Sequence, residues 1–356
     1  MSRVRRVIQE GLVPKNSVPR HFPDSIQYET IMGSVAYGVS SDTSDMDIYG
    51  FCIPEKHVIF PHLAGHIPGF GQQPEKFEQW MVHHVKDAAK NTEYDFTIYN
   101  IVKYFSLVME NNPNMVDSLF TPQNAILHCS PIAQMVRDER HIFLHKGAWH
   151  KFKGYAYSQM HKIRSKDSDA TKLAWEAREY EEKMGLSHDL KADEVQDIIT
   201  NSRLRGRRAL SEAQAQKYLG LLRRGEKAGK RFQSIKQFGY DVKFAYHVVR
   251  LIDEVEQILV EETLDLQRNR EKLKAIRRGE WKLEDIEEYF TRREKDLEKA
   301  YAESKLPHSP DEKRIRQLLM NCLEHHYGNL SDAVVDVDAA TRTLQQVADV
   351  IRKAGF

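Results

Sequence analysis

The stretch Met32-Gly33-Ser34-Val35-Ala36-Tyr37-Gly38-Val39-Ser40-Ser41-Asp42-Thr43-Ser44-Asp45-Met46-Asp47-Ile48-Tyr49-Gly50 decides how the rest of the chain is read. Ten residues separate Gly33-Ser34 from Asp45-Met46-Asp47. A small-residue turn beside a helix start holds phosphates on backbone N–H groups. Two carboxylates one residue apart on a strand point to the same face. Such an oxygen pair suits Mg²⁺, a hard ion that prefers carboxylates together with substrate phosphates. A phosphate cradle next to a metal pair points to nucleotidyl transfer.

Working outward, residues 28–32 read as a strand entering the Gly-Ser turn, and residues 35–39 as a short helix. Residues 45–53 alternate as a second strand. The lead-in, residues 1–24, reads as extended with one helical turn. The segment 54–74, rich in proline and glycine, reads as loop. Residues 77–85 fit either a strand or a helix. The run Glu93-Tyr94-Asp95-Phe96-Thr97-Ile98-Tyr99 has period two and is rich in strand formers. Ile101–Met109 follows as an amphipathic helix. Asn112-Pro113-Asn114 ends that helix and caps the next, at 115–120. From about residue 130 onward the pattern is helical, so a mixed sheet precedes a helical half.

Composition narrows the class. The chain has 356 residues, enough for two domains, and is 41% hydrophobic and 29% charged, as expected of a soluble globular protein. Its net charge of +1 gives no global basic field. Cys52, Cys129 and Cys322 are scattered and odd in number, which fits a reducing cytoplasm better than a disulfide framework. The basic start Met1-Ser2-Arg3-Val4-Arg5-Arg6 is followed by no apolar run, so no signal peptide is read there. No stretch approaches the ~18 apolar residues of a membrane helix.

Residues 165–231 read as a charged helical insert. A helix over 171–184 is closed by Gly185, and Ser211-Glu212-Ala213-Gln214 has the form of a capping box. Between Arg203 and Arg231 ten Lys/Arg oppose only Glu212 and Glu226, a local net charge of +8. Against the near-neutral whole, that asymmetry suggests phosphate contacts with RNA, although a solvated helical face has the same composition. Arg205, Arg207, Arg208, Arg223 and Arg224 are its candidate contacts. Lys153 and Lys162, in a stretch that mixes basic, aromatic and amide side chains, are two more.

The helix at 241–260 carries a second signal. It is apolar around most of its circumference, while Lys243, His247, Arg250 and Glu254 recur at spacings of four, three and four, on one stripe. A cleft wall facing an anion fits this stripe. So does an ordinary solvent face, or an Arg250–Glu254 ion pair. Arg277 and Arg278 before Gly279 sit where cations commonly close a helix. The adjacent pairs His83-His84 and His325-His326 do not converge on one metal, and His188-Asp189 lacks a supporting set, so no zinc site is read.

The opening stretch resembles the active-site signature of the DNA polymerase β-like nucleotidyltransferase superfamily. That signature is an apolar residue, Gly-Ser, a helix start, then Asp-x-Asp between apolar residues. Met32, Gly33, Ser34, Asp45, Met46, Asp47 and Ile48 fill every slot. The chain is similar to one branch, the RNA repair pathway DNA polymerase beta group of predicted nucleotidyltransferases. Asn112-Pro113-Asn114, Phe152-Lys153-Gly154-Tyr155, Ser304-Lys305-Leu306-Pro307 and Gly239-Tyr240-Asp241-Val242-Lys243 with His247 and Arg250 carry that likeness.

The resemblance implies an α+β fold: a polymerase β-type palm over residues 1–130, then a mainly helical domain over 131–356. It implies Mg²⁺, or Mn²⁺ in its place, and a nucleoside triphosphate substrate. Asp45 and Asp47 would hold two ions. A third carboxylate would hold the catalytic ion and help to deprotonate the acceptor. Asp95 is preferred for it by family position, and Glu93, which has the same parity, is the alternative. Gly33 and Ser34 would bind the departing phosphates, assisted by Lys243, His247 and Arg250. The acceptor implied is an RNA end, of tRNA or damaged RNA. A protein or small-molecule hydroxyl, and a non-catalytic RNA-binding scaffold, are the competing readings.

Overall fold

The computed structural model describes residues 2–40, 46–66, 71–72, 76–165, 168–197, 211–330, 343–344, 346–348 and 351. The chain divides into two compact units. The first comprises Met1–Ala148, Glu262–Gln267 and the chain from Leu306 onward; the second comprises Trp149–Glu261 and Arg268–Lys305.

The first unit is built on strands β1 (Ile26–Ile31), β2 (Met46–Cys52), β3 (Gln79–Asp87), β4 (Thr92–Asn100) and β5 (Ile126–Cys129). They form one mixed sheet in the order β3-β4-β2-β1-β5. β2 and β4 run parallel; the other neighbours are antiparallel. The segment that fitted either a strand or a helix is therefore a strand. On one face Ile48, Cys52, Trp80, Phe96 and Ile98 pack with Val4 and Val7 of the helix Arg3–Gln9. Burying a side chain such as Phe96 contributes about 1.5–3 kcal/mol.

That N-terminal helix is pinned through the buried Glu29, whose carboxylate accepts bonds from the Ser2 hydroxyl and the Arg3 and Val4 N–H groups. An acceptor at this end also matches the helix dipole. On the opposite face Phe51 lies between Tyr28 and Tyr104, at centroid distances of 5.8 and 4.9 Å. The Tyr28 hydroxyl donates to the Ser118 carbonyl at 2.8 Å and accepts from Arg137 at 2.7 Å. This fixes the helices Pro113–Phe120 and Pro131–Asp138 over one end of that face.

Several local expectations change. Residues 33–38 form a succession of turns rather than a helix, because Gly33 and Gly38 both have φ of +66°, outside the right-handed helical region. The lead-in contains the seven-residue helix Arg3–Gln9 rather than a single turn. The proline-rich segment includes the helix Lys56–Ile59 and a 3₁₀ turn Pro61–Ala64. Asn112 occupies the N-cap position but makes no side-chain capping bond; Pro113 at the first turn needs no N–H partner.

The second unit is helical where described. Asp169–Met184 ends at Gly185, and the Ser211–Gln214 capping box opens Glu212–Lys227. Ala174, Ala177, Tyr218, Leu222, Phe232 and Ile235 form its apolar core. The buried Glu181 accepts from Lys236 Nζ at 2.9 Å and from the Tyr218 hydroxyl, and contacts His188 Nδ1 at 2.7 Å. Among the described residues no helix is long and apolar enough to cross a membrane.

Candidate active site

Asp47 and Asp95 are register partners in the parallel pair β2–β4. Opposed residues of neighbouring strands project to one face, and the next residues on that face are Tyr49 and Thr97. Burial first, then the negative charges of Tyr99, Asp47 and Asp95, push the Tyr49 phenol up to about 12. It therefore stays a neutral donor beside the two carboxylates. Asp45 lies outside the described residues.

The Gly-Ser turn is built against the same carboxylate. The Met32 N–H donates to the Asp47 carbonyl at 2.7 Å, which closes the strand pair just before the turn. A Cβ at Gly33 would stand 2.5 Å from Asp47 Oδ2. Glycine is needed there both for its positive φ and for this close approach. Further bonds hold the turn. The Val39 N–H donates to the Ser34 carbonyl at 2.8 Å. The Tyr37 hydroxyl donates to the buried Asp117 at 2.7 Å, so Tyr37 is a packed anchor. Gln267, from the segment Glu262–Gln267 that belongs to this unit, donates to the Ala36 carbonyl at 3.2 Å.

Asp95 is oriented from the other side by β3. The β3–β4 register slips between Val82 and Val85, so His83 and His84 together face Asp95 in a bulge. His84 adopts a φ of +58° and its N–H donates to Asp95 Oδ1 at 2.7 Å. His83 Nδ1 lies 3.6 Å from the same oxygen. The His84 ring bonds Glu93. Glu93 pairs across the sheet with Lys86, and the described β2 ladder starts one residue later, at Met46 opposite Tyr94. Asp95, not Glu93, is thus the carboxylate opposite Asp47.

Their adjacency in sequence does not by itself place the two histidines against Asp95. A signal for them exists: buried positions are even at Trp80 and odd at Val85 and Asp87, and this parity change marks a bulge. Among the described residues no group of three or more His, Cys, Asp or Glu side chains gathers closely enough to hold a metal ion.

In the second unit, Lys243 near the start of the helix Val242–Glu261 is exposed, and His247 one turn later is partly buried. Arg250 is buried, and its Nη1 donates to both Glu254 carboxylate oxygens at 3.0 and 3.1 Å, the ion pair that spacing allowed. Burial, then the charges of Arg250, Lys243, Arg277 and Lys162, hold the His247 imidazole well below its ordinary value. Lys153 is paired with Glu294 at 2.5 Å and lies over Trp149. Arg223 and Arg224 are exposed on Glu212–Lys227. Arg205, Arg207 and Arg208 lie outside the described residues.

No curated protein matches the chain, and no solved structure does. A family model does match, over residues 4–176, which include the whole strand–turn–strand site and stop short of the helix carrying Lys243. Over that segment the chain is similar to the RNA repair pathway DNA polymerase beta family.

Proposed function

We propose that the chain is a metal-dependent nucleotidyltransferase that moves a nucleoside monophosphate from a nucleoside triphosphate to a hydroxyl at an RNA end. The observation that carries this reading is the pairing of Asp47 with Asp95 on one face of the sheet, with Gly33 against the Asp47 carboxylate. The family's place in an RNA repair pathway favours an RNA acceptor.

The donor chemistry fits a hard cation. Asp47 and Asp95 are partly exposed, and Asp95 Oδ2 has no hydrogen-bond partner among the described residues. Asp45, Asp47 and Asp95 would hold Mg²⁺, with Mn²⁺ as a substitute; when bound, such ions neutralise phosphate charge and stabilise the attacking and leaving oxygens.

The chain's own groups account for the rest. Backbone N–H groups of the turn, with the Ser34 hydroxyl, bind the β- and γ-phosphates. The acceptor oxygen forms a bond to the α-phosphorus, and the bond from that phosphorus to its bridging oxygen breaks. Pyrophosphate leaves with the electron pair, and Asp95 takes the hydroxyl proton. Within the second unit, Lys243 and His247 are phosphate-binding groups, with the Arg250–Glu254 pair behind them. Lys162, Arg223 and Arg224, with Arg205, Arg207 and Arg208, bind RNA phosphates through contacts that weaken with salt, whereas Lys153 is held by Glu294.

The test incubates the chain with each α-labelled nucleoside triphosphate, Mg²⁺ or Mn²⁺, and total cellular RNA, then separates RNA from protein. Label on RNA, absent with Asp47→Asn, is expected. Label on protein instead would replace the acceptor, and label nowhere would sink the reading.

A further inference from the structure

We infer that the second unit contains a phosphate site formed by Lys162, Arg231, Lys243 and Arg277 around His247. It takes the phosphate of a nucleotide or of an RNA terminus. The inference rests on the proposed role of Lys243 and His247 and extends it to three cations from other helices.

The cations arrive from four segments. Lys162 ends the helix Ala148–Arg164, Arg231 starts Lys230–Phe238, Lys243 starts Val242–Glu261, and Arg277 ends Arg270–Arg277. Two aromatic rings gather them. Lys162 Nζ and Arg231 Cζ lie 5.6 and 5.2 Å from the centroid of Phe244. Arg277 Cζ lies 5.4 Å from the centroid of Tyr246, whose ring is 4.2 Å from that of His247. The Arg231 guanidinium also donates to the Lys162 carbonyl at 2.9 Å.

Among the described residues this cluster, with Arg250, holds five cations, and Asp241 and Glu254 are the carboxylates paired with them. Asp241 accepts from the Lys243 N–H at 3.0 Å and stands 3.5 Å from Arg231 Nε; Glu254 holds Arg250. Lys162 and Lys243 are exposed, and neither ammonium lies within ion-pair distance of a carboxylate among the described residues. Elsewhere in the unit, Lys153 and Lys272 are paired with Glu294 and Asp253. Converging lysines and arginines with surplus positive charge suit a multiply charged oxyanion, and arginine matches phosphate with a planar fork.

His247 sits where that anion would bring its charge. Burial and the surrounding cations, Arg250, Lys243, Arg277 and Lys162, keep its ring neutral. An arriving phosphate offsets those cations and lets the ring take up a proton, so affinity increases as pH falls.

The test is calorimetric titration of the full chain in EDTA with tripolyphosphate, ATP, and a short RNA bearing either a 5′-phosphate or a 5′-hydroxyl. EDTA removes metal-dependent binding at the carboxylates, so failure of this site and failure of nucleotidyl transfer read out separately. The chain and Asp47→Asn are expected to bind tripolyphosphate alike. Lys243→Ala and Arg277→Ala should each bind at least roughly tenfold more weakly, and Lys243→Arg should restore affinity. Titration in two buffers of different ionisation heat should show proton uptake that disappears in His247→Gln. Binding of ATP alone names the nucleotide as the source of the phosphate; dependence on the 5′-phosphate names the RNA end. No binding of any phosphate ligand, or equal affinity in the folded Lys243→Ala and Arg277→Ala variants, overturns the inference.

Discussion

Asp47 stands directly across from Asp95 in the parallel ladder of β2 and β4. The pair gathers four stretches of chain: it joins β2 to β4, the Gly-Ser turn touches Asp47, and the β3 bulge donates to Asp95. The sheet thereby sets the spacing of the carboxylates, and the turn and bulge set their orientation.

Asp95 and Glu93 share a face but have different partners. Glu93 is taken by His84, whereas Asp95 is opposite Asp47. Stabilisation of transition-state charge worth several kcal/mol corresponds to a rate loss of at least about a hundredfold. That loss is expected for Asp95→Asn, and a far smaller one for Glu93→Gln, in initial-rate measurements. Equal losses would remove the distinction.

Gly33→Ala combines a left-handed backbone with a clash against Asp47 Oδ2. The backbone conformation alone costs about 1–2 kcal/mol. Both a lowered urea midpoint and a loss of turnover are expected. Unchanged turnover would mean that the turn does not work beside Asp47.

The bulge at His84 positions Asp95 through a backbone N–H, not through its imidazole. His84→Gly tolerates the positive φ and keeps that donor, so it should retain turnover. Deleting His84 straightens the strand and removes the donor, and should match Asp95→Asn in rate while the far-ultraviolet circular dichroism is preserved.

Much of this arrangement was legible in the sequence. The strands around the signature, the helix Ile101–Met109 and the capping box at Ser211 follow from local pattern, and local pattern is what side-chain spacing records. The rest depends on partners far away in the chain. β5 is four half-buried residues whose strand character comes from pairing with β1. Turns replace the helix at 33–38 because two glycines take positive φ. Gln267 reaches the turn only because Glu262–Gln267 returns to the first unit. Lys162 and Arg277 approach His247 from helices that no spacing rule links.

The second unit has its own buried ion pair. Lys236 and Glu181 have side chains 4% and 0% exposed. Removing one partner of such a pair costs about 3–5 kcal/mol. Lys236→Met should lower stability by that amount in urea denaturation, since Glu181 keeps only His188 and Tyr218.

Stability should also fall on mild acidification. Burial holds His21, His141, His145, His247 and His326 below 6.5. The unfolded chain therefore takes up protons near that pH while the folded chain takes up fewer. Stability is full above it and falls as pH drops towards the folded values. Urea midpoints measured from about pH 8 to about pH 5 should decline, and His247→Gln should flatten the slope.

The central claim concerns which phosphorus is attacked, and paired labels test it most directly. The chain is given one nucleoside triphosphate labelled at the α-phosphate and, in parallel, at the γ-phosphate, with Mg²⁺ and RNA. The account predicts α-label joined to RNA, γ-label released as pyrophosphate, and neither event with Asp47→Asn or Asp95→Asn. Transfer of γ-label, or release of γ-label as orthophosphate without α-label on any acceptor, would contradict it.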